Sequence, residues 1–179
     1  MALTGILNIK EKLTFDDSIK SYQLTEYQPI TSSQLNTSGQ ITITIENTDD
    51  FYYPRQSWLK IEGNLLKTDG KLYGDNDLIT LTNNGLMYLF TNIEYSLSGM
   101  EIESLNHPGV ATTILGSLKN SSDFSKGPGL MQCWCPDTAT TATNTNVGFT
   151  IRRGLIIEKP NPNGAFSFAV PLNFFLIFF

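Results

Sequence analysis

The chain has 179 residues, of which 40% are hydrophobic and only 16% charged, and it carries a net charge of −5. That length favours one domain or two small ones and buries a core without disulfide staples. The acidic balance excludes a generic nucleic-acid binder, which needs a basic face to displace counterions.

Residues 1–35 are weakly periodic and are expected to form an N-terminal arm with at most one short strand. The start, MALTGILNIKEK, lacks the basic leader and long apolar core of a secretory signal. No run of about 18 apolar residues occurs, so no membrane span is expected. The stretch QITITIE then alternates strictly, with Ile41, Ile43 and Ile45 opposite Thr42 and Thr44, which predicts a half-buried strand. NTDDFYYPRQ predicts a polar turn with an aromatic cluster, broken by Pro54. SWLKIEGNLLK predicts a second strand, with Leu59 and Ile61 facing away from Trp58, Lys60 and Glu62, and with a bulge at Gly63.

Thr68-Asp69-Gly70-Lys71 is a tight-turn signal. LITLTNNG predicts a short strand stopped by Asn83-Asn84-Gly85. MYLFTNIEYSLSG is the longest strand candidate, and Ser98-Gly99 turns it into MEIESL. A helix is expected next, capped by Asn106 with Pro108 in its first turn and with Val110, Ile114, Leu115 and Leu118 at helical spacing. Residues 121–147, including TATTATNTN, read as one long loop. VGFTIRRGLIIEK and GAFSFAVPLN predict two closing strands. Thr, Phe and Tyr in quantity with few charges also favour strands. The expected fold class is all-β: a jelly-roll β-sandwich with one short helix and long loops.

Chemistry-bearing residues are sparse. His107 is the single His, and its place beside Pro108 reads as a surface position. Cys133-Trp134-Cys135 lacks the second ligand pair of a structural zinc site. The two cysteines are too close in sequence for an unstrained bridge. They read as free thiols of a reducing intracellular compartment. Asp75-Asn76-Asp77 lacks the Gly and distal Glu of a calcium loop. Glu94, Glu101 and Glu103 read as decoration of a strand surface, and Arg152-Arg153 as a lone basic pair. No catalytic, metal or cofactor-binding residue is expected, and no enzyme.

Residues 51–137 contain FYYPRQSWLKIEGNLL, then LTNNGLMYLFTNIEYSLSGMEIESLNHPGVATTILGSLK. This order of parts resembles the first half of double jelly-roll major capsid proteins, the hexon-like proteins of DNA viruses and their endogenous relatives in animal genomes. The matching residues are Ile93, Glu94, Leu97, Gly99, Ile102 and Glu103, followed by the helix over residues 108–118. The resemblance implies an eight-stranded jelly roll and a structural role. The protein would be a capsid subunit of the virion, or a domesticated remnant, self-assembling through loops and sheet edges.

The implied partners are copies of the chain, as a trimer, pentamer or larger assembly, and other capsid proteins. No direct nucleic-acid binding is expected. The family joins two jelly rolls in one chain, and only one fits in residues 36–179, which are expected to form a single truncated domain. The interface candidates are Tyr52, Tyr53, Trp134, Phe174, Phe175, Phe178 and Phe179. The run FFLIFF reads as a strand docking on a neighbour, as the last strand of the domain's own sandwich, or as an out-of-frame tail. The alternative function is a lectin-like or receptor-like binding module on the same scaffold.

Overall fold

A computed structural model describes residues 21–31, 39–46, 51–74, 76–140, 145–157 and 165–176. The chain divides into two compact units, Met1–Asp49 and Asp50–Phe179. The expected jelly roll is not what forms. Among the described residues, four strands make two separate two-stranded sheets, joined by two α-helices and several short 3-10 turns, a mixed α/β arrangement.

In the first unit the expected strand over residues 40–46 has no ladder. Thr31 takes its place: its Oγ1 donates to the Gln40 carbonyl (3.0 Å) and accepts from the Thr42 N–H (2.9 Å). One backbone bond, from the Ile30 N–H to the Thr42 carbonyl (2.9 Å), completes the clasp. Ile43 and Ile45 remain exposed. The expected arm over residues 1–20 and 32–35 lies outside the described residues.

In the second unit β1 (Trp58–Asn64) pairs antiparallel with β4 (Ala165–Pro171). Leu59 faces Val170, Ile61 faces Phe168, and Gly63 faces Phe166, so three cross-strand pairs turn one side of the ribbon to the core. Gly63 is not a bulge. Its missing side chain admits the Phe166 ring, whose Cζ would stand 2.9 Å from a Cβ there. The bulge lies instead in the hairpin of β2 (Asn92–Leu97) and β3 (Met100–Asn106), where the register slips between Tyr95 and Ser96. The Ser98-Gly99 turn holds both residues at positive φ (52° and 80°). That is the backbone twist a two-residue hairpin loop requires.

Three further expectations fail for identifiable reasons. Residues 78–82 form no strand: Arg152 Nε takes the Leu81 carbonyl (2.9 Å), an acceptor a ladder would use, and Arg153 Nε takes the carbonyl of Asp77 just before the segment (3.0 Å). The long strand candidate begins as a 3-10 turn, Gly85–Leu89, which buries Gly85, Leu86 and Met87 in succession; an alternating strand cannot do that. Within VGFTIRRGLIIEK, Val147–Ile156 is a helix, not a strand. Helix α1 (Pro108–Lys119) is the expected one, and α2 (Val147–Ile156) is capped by Asn146, whose side chain accepts from the Phe149 N–H (3.1 Å). Gly148, Arg152 and Ile156, four residues apart, form the buried stripe of α2.

The core gathers Ile61, Leu86, Met87, Ile156, Phe168 and Val170, with Cys133, Ile157, Phe175 and Leu176.

Candidate functional site: an outward apolar helix face

Helix α1 begins where β3 ends. His107, rather than Asn106, occupies the cap position, at φ 51°, and its N–H donates to the Thr91 carbonyl (2.9 Å). Asn106 stays in the hairpin, opposite Asn92. Pro108 holds the first turn, where its missing N–H leaves no bond unmade.

The inner face of α1 is made of small residues: Pro108, Gly109, Thr112 and Gly116 are buried. Two aromatic rings lie against the glycines. A Cβ on Gly109 would stand 2.5 Å from Tyr88 Cγ, and one on Gly116 would collide with the edge of the Trp134 indole. Between them Asn84 acts as a clasp. It is 1% exposed and left-handed (φ 59°). Its Nδ2 donates to Thr112 Oγ1 (2.7 Å) and Thr113 Oγ1 (3.0 Å), and its N–H donates to the Cys133 carbonyl (3.0 Å). Thr112 Oγ1 in turn donates to Pro108 O (2.6 Å). One asparagine thus ties the 84–89 turn, α1 and the Cys133 segment together.

The consequence is an inversion. Val110, Ile114, Leu115 and Leu118, the apolar residues at helical spacing, point away from the core at 51%, 57%, 48% and 81% exposure. An amphipathic helix usually turns such residues inward. Here the aliphatic residues form a ridge on the surface, and a shallow groove of about 210 Å³ opens at its N-terminal end. The groove is lined by Tyr88, Leu89, Phe90, Thr91, His107 and Val110.

Arg152 ties α2 to segments next to Asn84 and Cys133. It is 2% exposed. Besides its bond to Leu81, its Nη1 donates to the Cys135 carbonyl and its Nη2 to Asp137 Oδ1 (2.8 Å). Asp137 stays half exposed. The guanidinium is therefore a structural staple. Gly148 makes room for this junction, because a Cβ there would meet the Pro136 and Cys135 carbonyls.

The predicted interface residues scatter. Tyr52 and Tyr53 are exposed beside the 3-10 turn Pro54–Gln56. Trp134 is 2% exposed and meets Phe174 edge-on, with ring centroids 6.2 Å apart. Phe174 is half-buried and Phe175 is buried in the core. Phe178 and Phe179 lie outside the described residues.

Cys133 and Cys135 are free and buried. Burial pushes the Cys133 thiol up to about 12, and raises that of Cys135 too. Glu94 pairs with Ser104 and Glu103 with Tyr95, so the two carboxylates alternate across the hairpin. Asp77 is held below its ordinary value, first by the Gly74 N–H and then by Lys67 at 3.0 Å.

Among the described residues no group of three or more His, Cys, Asp or Glu is placed to hold a metal ion, and no helix is long and apolar enough to cross a membrane. The sequence reading missed Asn84 and Arg152. The available signals were Asn84 before Gly85, a left-handed turn, and the four-residue spacing of Gly148, Arg152 and Ile156. No family model, curated protein or solved structure matches the chain.

Proposed function

We propose that this protein is a non-enzymatic structural subunit that associates with copies of itself, and that it serves in a virion shell, as the resemblance of residues 51–137 implies. The observation that carries self-association is the outward ridge of α1. Exposed contiguous apolar surface marks interaction sites on folded proteins. Covering each of these four side chains would contribute on the order of 1 kcal/mol.

The sheets support the same reading. Each is two-stranded, and a lone two-stranded ribbon is marginal in water. Every strand has one side without a partner strand among the described residues, which is a template for pairing with another chain. Leu97 and Met100, at the tip of the β2–β3 hairpin, are exposed as well. A low charge density makes contacts between copies less costly to desolvate. For the shell role specifically, the support is the order strand, glycine turn, acidic strand, helix over residues 92–119, which the family shares.

Multi-angle light scattering and negative-stain electron microscopy of the purified chain test the proposal. Dimers or larger rings, tiles or particles are expected. A monomer that persists as concentration rises refutes it.

A further inference from the structure

We propose, resting on the self-association reading, that two copies pair about a two-fold axis through antiparallel α1 helices. Ile114 sits at the axis, and Leu118 of each copy enters the groove at the start of the other's helix. Two observations choose a second copy as the occupant.

The first is charge. Residues 78–93, 104–118 and 127–136 contain no Lys, Arg, Asp or Glu. The fold brings these three runs together. The Gly85–Leu89 turn packs on α1, and Trp134, from the third run, covers Gly116. Copies of a chain with net charge −5 repel one another at long range. They approach with least penalty where neither presents a charge. An anionic membrane or a nucleic acid would instead call for Lys and Arg on this face, and within α1 the only one is Lys119, at its last position.

The second is self-complementary shape. Val110, Ile114 and Leu118 form a single i, i+4 row, the kind of ridge that packs into the groove of another helix. Leu118 is the most exposed of them, at 81%. The groove bordered by Val110 lies eight residues away, about 12 Å along the axis. An antiparallel two-fold operation centred on Ile114 places position 118 of one copy against position 110 of the other. Ridge end then meets groove twice, as an isologous contact requires. Leu115, Tyr88 and Leu89, all exposed, flank the row and widen the contact.

Disulfide trapping in the full chain tests the geometry. Ile114→Cys is expected to cross-link to itself on mild oxidation. Val110→Cys and Leu118→Cys are expected to link to each other when mixed, and little when alone. The wild type, with both cysteines buried, is the unlinked control. As a second readout, Leu118→Lys should keep the circular dichroism spectrum and weaken dimerisation about tenfold or more.

Preferential self-linking of Val110→Cys overturns the antiparallel register. Oligomers by light scattering with no cross-link at any of the three positions overturn the pairing but leave self-association standing. A monomer under the same conditions removes both.

Discussion

The indole of Trp134 occupies the space that a side chain on Gly116 would need. This contact fixes which way α1 faces. With glycines at 109 and 116 the helix lies flat on Tyr88 and Trp134, and its larger aliphatic residues are left outside. Gly116→Ala sets two effects against each other. Alanine favours a helix by about 1 kcal/mol, whereas overpacking a filled site costs about 1–3 kcal/mol. The indole is buried and also meets Phe174, which limits how far it can shift, so net destabilisation is expected, read as a lower urea midpoint at unchanged slope. Gly39→Ala, with nothing within 4 Å of its Cβ position, should be nearly neutral.

Arg152 and Asp137 should respond unequally. Arg152→Ala strips partners from the Leu81 and Cys135 carbonyls and from Asp137, and a loss of about 3–5 kcal/mol is expected. Asp137→Asn keeps an acceptor oxygen on a half-exposed side chain, and about 1 kcal/mol or less is expected. Equal effects in chemical denaturation would contradict the staple.

Asn84 offers a graded test. Asn84→Gly keeps access to the left-handed conformation but loses the bonds to Thr112 and Thr113. Asn84→Ala loses both, and the added backbone strain is about 1 kcal/mol or more. Thermal unfolding should therefore rank wild type above Gly, and Gly above Ala.

Part of the second unit was legible in the sequence, though not its fold class. The alternation of Leu59 and Ile61 located β1, Asp69-Gly70 and Ser98-Gly99 located turns, and Pro108 located the start of α1 within a residue of its true bound. Periodicity could not show which face of α1 is buried. It scores apolar content, and the deciding contacts are aromatic rings over glycines, which carry no apolar side chain. It also misread α2. Val, Phe, Thr and Ile favour strands locally, while the buried stripe contains a glycine and an arginine whose partners lie far off in sequence. Two-stranded ribbons stand in place of a sandwich because residues 78–82 and VGFTIRRGLIIEK, which read as strands by local preference, add no strand to either sheet among the described residues.

Alkaline stability should carry the signature of Cys133. Below pH 9 the thiol is neutral in both the folded and unfolded chain and adds no slope. Between 9.0 and about 12 the unfolded chain loses this proton while the folded one keeps it. Stability then falls by about 1.4 kcal/mol per pH unit from this group. Burial raises Cys135 in the same direction. Cys133→Ala should flatten the decline above pH 9, and the double variant should flatten it further. Identical pH profiles for all three proteins would show that neither thiol is buried in solution.

Sedimentation velocity on the wild type and on a Leu115→Glu, Leu118→Glu variant tests most directly whether the outward face of α1 joins copies of the chain. Both positions are surface sites, so the variant should keep the wild-type circular dichroism spectrum. The wild type should sediment as a dimer or larger species, and the variant should shift towards monomer at the same concentration. Two indistinguishable distributions, whether both monomeric or both assembled, would contradict the account.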